Sequence, residues 1–326
     1  MSKPIDINTM ATAVRTGDRR ALARAITLVE SGRQDHRDQA LALLHALGTD
    51  RQALRIGLSG TPGVGKSTFI ESFGLMLTGM GKKVAVLAVD PSSARSGGSI
   101  LGDKTRMDLL SRDPNAFIRP SPSQTQLGGV ARRSREAVSL CEAAGYDIVL
   151  IETVGVGQSE TVVAQMADLF LLLLAPAGGD ELQGVKRGIM EIADMILVNK
   201  ADGDLKPQAM RTCADYAGAL RLLRKRAQDP DGFPKALTVS ALETIGLETA
   251  WDDIETLMDW RRDSGVWDAN RQDQARFWFA EEVRLQMLAR LTQDPDLKAK
   301  MTKLEQKVAA GDLSPAAAAA MIVHPL

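Results

Sequence analysis

Metal-binding chemistry has little to draw on in this sequence. Its 326 residues hold two cysteines, Cys141 and Cys213, and three histidines, His36, His45 and His324. The cysteines stand far apart and the histidines form no H-x-x-x-H pair, so no dedicated zinc or haem site is expected. Two such thiols read as reduced core or surface groups of a cytoplasmic protein. Long apolar runs are missing too. The longest, Leu169–Ala175 and Ala316–Val323, fall far short of the roughly 18 residues of a membrane span. Met1–Asp18 has no apolar core of the kind a signal peptide carries. Neither sign of charge dominates: 40 Lys and Arg stand against 41 Asp and Glu, a formal net charge of -1. That balance lacks the basic stripe of a nucleic-acid binder and the surplus charge of a disordered chain. Neither nucleic acid nor membrane is therefore expected as a partner. What remains is a globular composition, 44% hydrophobic and 25% charged, with length for about two domains.

Pattern divides the chain into three. Residues 1–52 read as helices, with Ala21, Leu22, Ala25, Ile26, Leu28 and Val29 at three-to-four spacing and Asp18 as an N-cap. Residues 53–249 alternate apolar runs with longer helical stretches. The runs are Arg55–Ser59, Val84–Asp90, Ala116–Arg119, Asp147–Glu152, Leu169–Ala175, Met195–Asn199 and Ala236–Val239. They are continuous, as in strands buried on both faces. The stretches Ser67–Met80, Gly128–Ala144, Leu182–Ala193 and Pro207–Leu223 are long enough for crossover helices. This alternation predicts an α/β fold, a mostly parallel sheet with helices on both faces. Residues 250–326 return to helices. Trp251, Ile254, Leu257 and Met258 share one face there. Phe277, Trp278, Ala280, Glu281, Val283, Leu285 and Leu288 form a less clean stripe, and Ser314-Pro315 starts a helix.

The strongest motif is Gly60-Thr61-Pro62-Gly63-Val64-Gly65-Lys66-Ser67, followed by Thr68. It fits G-x-x-x-x-G-K-[ST] between an apolar run and a helical stretch. Glycines let the backbone curl its N–H groups around phosphates, and the following helix start adds partial positive charge. Lys66 reaches the β- and γ-phosphates, and Ser67 offers a hydroxyl to Mg²⁺. Asn199-Lys200-Ala201-Asp202 then reads N-K-x-D after a buried run. The Asp202 carboxylate suits the paired donors of guanine, N1–H and the exocyclic amine. Adenine lacks that pair, so GTP is expected over ATP. Lys200 can lie along the base plane, and Asn199 can tie the two loops together. Ser240-Ala241-Leu242 follows the last run, where a backbone contact to guanine O6 is needed.

Mg²⁺ takes oxygen ligands and keeps several waters. Asp90 and Glu152 end apolar runs beside the phosphate loop and are metal candidates with Ser67. The longer Glu152 arm acts directly or through water. Ser92–Thr105, Gly155–Glu160 with Gln158, and Gly178–Lys186 have the glycine and charge of loops that a γ-phosphate can order. Each also reads as an ordinary surface loop.

The segments Val89–Ser93, Gly97–Met107, Glu152–Glu160 and Gly179–Gly184 resemble the MeaB/ArgK (MMAA) family, the G-protein chaperones of methylmalonyl-CoA mutase. The resemblance spans nearly the whole chain. It implies a P-loop GTPase with a SIMIBI-type G domain between helical extensions, the C-terminal one mediating a homodimer. It implies hydrolysis of GTP to GDP with Mg²⁺, and a mutase partner that uses adenosylcobalamin, with no cobalamin on this chain itself. It sets Asp90 and Asp103 near Mg²⁺, Glu152 at the Walker-B-like position, and Lys186 at the end of a third switch. Lys66, Glu152 and Lys186 are then the candidates for the catalytic step, and Gln158 is not assigned to it. A metallochaperone GTPase would need a Cys/His motif that is lacking. A P-loop kinase of the same fold would favour ATP, which N-K-x-D opposes.

Overall fold

A computed structural model describes residues 6–89, 107–120, 130–153, 159–176, 187–223, 226 and 229–323. The chain separates into two compact units, Met1–Arg271 and Gln272–Leu326.

The first unit begins with three helices, α1 (Ile7–Arg15), α2 (Arg19–Glu30) and α3 (Gln34–Leu47). Asp18 caps α2, its carboxylate accepting from the backbone N–H of Arg20 and Ala21, both at 2.8 Å. Seven parallel strands follow: β1 (Leu54–Gly60), β2 (Val84–Val89), β3 (Ala116–Arg119), β4 (Ile148–Thr153), β5 (Leu169–Leu174), β6 (Met195–Val198) and β7 (Lys235–Thr238). Their order is β3-β2-β4-β1-β5-β6-β7. Each strand coincides with an expected run, shifted by a residue at some ends. All six residues of β4 and of β5 are buried, which is why those runs show no polar alternation.

The connections are α4 (Lys66–Gly79), α5 (Asp108–Arg112), α6 (Val130–Ala143), α7 (Ser159–Ala164), α8 (Arg187–Ile192) and α9 (Lys206–Leu222), with α10 (Leu247–Asp263) after β7. On one sheet face Ile56, Leu58, Val86, Leu150 and Leu171 pack with Phe69, Phe73 and Leu77 of α4 and with Trp251, Ile254 and Leu257 of α10. The expected stripe of α10 is therefore core. Helices α6 and α7 lie against the central strands, α9 covers β6 and β7, and α1–α3 stack on α6.

The amino-terminal edge of the sheet repeats one device three times. Asp147 donates its N–H to Lys83 O at 2.9 Å and accepts Lys83 N–H on its carboxylate at 2.7 Å. Asp168 does the same with Arg55, at 2.8 Å each way, and Asp194 with Phe170, at 2.9 and 2.7 Å. Each aspartate precedes a strand and closes a ring with its neighbour. Two arginines, Arg261 buried and Arg271 partly so, neutralise two of them. Arg261 on α10 donates to Asp194 at 2.6 Å, to Asp229 at 2.8 Å and to the Asp168 carbonyl at 2.7 Å. Arg271 grips Asp168 through two nitrogens at 2.5 and 2.6 Å and stacks over Trp267.

Helix α11 (Val266–Gln293) carries the chain into the second unit, where α12 (Pro295–Ala309) and α13 (Pro315–Val323) follow. The expected start at Ser314-Pro315 is present, with Ala317 N–H on Ser314 Oγ at 3.3 Å. This unit's core is small: Leu304, Ala318 and Ile322, with Leu291, Met301, Val308 and Leu313 partly buried around them. The expected α11 stripe differs from the structure. Trp278 is buried, whereas Phe277, Val283 and Leu288 are exposed. A helix turns about 100° per residue, so these four cannot share one narrow face.

Candidate functional site

A parallel sheet gathers its loops at the carboxyl ends of its strands, and ligands bind there. Gly60 ends β1 and Val198 ends β6 at this edge. The loop 61–65 joins β1 to α4, and its exposed Thr61, Pro62 and Gly63 contrast with buried Val64. Gly65 has φ 92°, a left-handed conformation that side chains resist. A Cβ there would stand 2.8 Å from Asn199 Nδ2. One at Gly60 would stand 2.4 Å from the Leu173 carbonyl. Only glycine fits at either position, which explains the fixed letters of the motif. The first turn of α4 starts at once behind the loop, Phe69 N–H bonding Gly65 O at 2.9 Å. Lys66, Ser67 and Thr68 therefore stand in that first turn, beside the loop's backbone.

Lys66 Nζ donates to Gly60 O at 2.6 Å, folded back over its own loop. Burial pushes its ammonium below the usual lysine value, while the charges of Glu152 and Glu160 pull the other way. Both carboxylates are buried, at 6% and 4% exposure. Glu152 pairs in register with Leu58 of β1 and Ala88 of β2. It is thus set between the two strands that feed the phosphate loop and the segment after β2. Glu160, in the first turn of α7, closes the segment Gly155–Glu160, and nothing in the sequence gives it a role beside Lys66. Beneath the loop, Thr153 Oγ1 donates to Ser59 Oγ at 3.0 Å in a buried pair.

The N-K-x-D segment meets this loop directly. Asn199, 2% exposed, donates from Nδ2 to Val64 O at 3.0 Å and accepts Ala241 N–H on Oδ1 at 3.0 Å. Lys200, at φ 59°, lays its ammonium on Gly63 O at 2.7 Å. Ser240 Oγ donates to Asp202 and accepts Glu243 N–H at 3.0 Å. Ala201 N–H bonds Val239 O at 3.0 Å. Leu242 projects, 78% exposed. Thus Gly60–Thr68, Glu152, Asn199, Lys200, Asp202 and Ser240–Leu242 converge on one edge of the sheet. Asp90, Asp103, Lys186 and Gln158 lie outside the described residues.

This arrangement can hold a phosphate chain on backbone N–H groups and Lys66, with a base at Asp202. Ser67 and Glu152 supply hard oxygen donors of the kind Mg²⁺ takes, and the glycine cradle leaves the room that phosphates need. Among the described residues no helix is long and apolar enough to cross a membrane.

Comparison with known proteins places this geometry among relatives. The profile of a family described as methylmalonyl Co-A mutase-associated GTPase MeaB matches residues 22–296. A probable GTPase of Mycobacterium tuberculosis is 51% identical over 319 residues, covering 98% of this chain and 94% of that one. The mitochondrial methylmalonic aciduria type A homolog of Mus musculus is 48% identical, covering 97% of this chain and 79% of its own. The crystal structure of a LAO/AO transport system kinase superposes with a TM-score of 0.75 at 38% identity, covering 99% of each chain.

Proposed function

The chain belongs to the MeaB family of GTPases, and from that membership we propose that its GTP hydrolysis controls an adenosylcobalamin-dependent acyl-CoA mutase, methylmalonyl-CoA mutase or a close relative. In this reading the protein is a chaperone that protects the mutase and gates loading or release of its cofactor. The cobalamin stays with the mutase. The supporting observation is Asn199 bonding Val64 and Ala241, which joins a phosphate cradle to a guanine-reading loop within a chain of this family.

Hydrolysis by such a site is positioning and charge stabilisation. Backbone N–H groups of residues 60–65 and the start of α4 hold the phosphates. Lys66 leaves Gly60 O and moves its ammonium onto the β- and γ-oxygens. Asp202 takes the two guanine donors, with Ser240 steadying one of its oxygens. Ser67 and Glu152, with Asp90 and Asp103, are the residues proposed to hold Mg²⁺, which would neutralise charge on the transferring group when bound. Lys186 is proposed to complete the charge around the leaving phosphate.

We also read the protein as a homodimer in the cytoplasm. On α11, Phe279, Val283 and Met287 recur every four residues and are 72%, 46% and 41% exposed. An apolar row of that kind beside so small a core suits a second copy of the same helix.

The experiment is GTP turnover with purified mutase added, together with capture of the mutase in the presence and absence of a nonhydrolysable GTP analogue. Stimulated turnover and nucleotide-dependent capture are expected. Turnover that ignores the mutase, with no capture in either state, would remove the chaperone reading and leave a GTPase with another client.

A further inference from the structure

We propose that Ser72 is a positioning residue for guanine recognition, tying the helix behind the phosphate loop to the loop that reads the base. The proposal rests on the guanine-nucleotide reading above and deepens it.

Ser72 is half-buried on α4, about two turns beyond Gly65. Its hydroxyl donates to the carbonyl of Ala241 at 2.6 Å, across a sequence separation of 169 residues. A helical serine usually bonds a carbonyl one turn back in its own helix. Here the hydroxyl is spent on a distant loop instead. Ala241 is 2% exposed, so its carbonyl has little access to water. The N–H of the same residue goes to Asn199 Oδ1 at 3.0 Å. Both main-chain polar groups of Ala241 are therefore fixed, one by the phosphate-loop helix and one by the base loop.

These bonds close a ring. Val64 accepts from Asn199, Asn199 accepts from Ala241, Ala241 accepts from Ser72, and α4 leads back through Gly65 to Val64. Ser72 alone in that ring lies outside the nucleotide motifs. Ser240, next to Ala241, donates to the Asp202 carboxylate. A shift of residues 240–241 thus carries that carboxylate with it. The Ser72 hydroxyl sets the span between the cradle for phosphate and the acceptor for the base, as supporting residues set reacting groups elsewhere.

The test compares full-length wild type, Ser72→Ala and Ser72→Thr. It measures the Kd of GDP and, by competition, the inhibition constant of inorganic tripolyphosphate, which has no base. Ser72→Ala is expected to weaken GDP about fivefold while tripolyphosphate binding stays unchanged. Ser72→Thr, which keeps the hydroxyl, is expected to restore GDP affinity. Unchanged GDP affinity in Ser72→Ala would overturn the proposal. So would equal losses for GDP and tripolyphosphate, because the defect would then be general loosening. Wild type that binds tripolyphosphate but no guanine nucleotide would instead strike the guanine reading, and this inference with it.

Discussion

Lys66 is held against a carbonyl, its ammonium weakened by burial and steadied by two buried carboxylates. Phosphate oxygens would favour the charged form more strongly, so their arrival raises its pKa. Nucleotide binding should therefore take up protons at alkaline pH, seen by calorimetry as a heat that changes with the buffer's ionisation enthalpy. Lys66→Ala should abolish both that uptake and hydrolysis, and unchanged turnover in a phosphate-release assay would refute the role. Asp202→Asn exchanges a two-oxygen acceptor for one oxygen and a donor. It should weaken GTP about a hundredfold and admit xanthosine triphosphate, whose carbonyl replaces the amine; retained GTP affinity would argue against the base site. Burial also raises both thiols, Cys141 being fully buried and Cys213 partly so. A thiol reagent should label Cys213 alone in the folded protein and both after denaturation.

At the scale of elements, α10 is anchored by more than its apolar face. Arg261, 3% exposed, stands between Asp194 and Asp229, themselves 6% and 4% exposed. Arg261→Met removes one partner and leaves buried carboxylates that Arg226 only partly compensates. A loss of about 3 kcal/mol is expected, measured as a lowered urea midpoint, and an unchanged midpoint would make the network ornamental. The strands were legible in the sequence because each is a continuous apolar run, the phosphate loop because backbone geometry fixes its glycines, as at Gly65, and the base loop because its letters are side chains with set contacts, as Asn199 has with Val64 and Ala241. The short helices α5 and α7 were not legible. Five or six residues complete fewer than two turns and give no usable period. The arginine network escaped as well, since Arg261 and Asp168 lie 93 residues apart and only the folded sheet brings them together. Ser72 was hidden for the same reason: one serine on a helix announces nothing until the loop it touches is in place.

For the whole molecule, the second unit has the smaller core: among the described residues its buried apolar side chains are few, and its longest helix shows an apolar row to solvent. If two copies meet through that row as proposed, Phe279→Asp combined with Val283→Asp should halve the mass seen by sedimentation while leaving GDP binding intact. A parent protein already monomeric at micromolar concentration would count against the pairing. The first unit has a polarity of its own. At one rim Asp147, Asp168 and Asp194 latch β4 to β2, β5 to β1 and β6 to β5, each through its own N–H and its carboxylate. The opposite rim ends in the loops proposed to take the nucleotide. Slow deuterium uptake should thus be graded along β1 and β5, most retarded near Arg55 and Phe170 and faster toward Gly60 and Leu174. A sheet fastened in this way keeps its foundation still, so a disturbance at the ligand-facing margin need not spread into the scaffold that carries it.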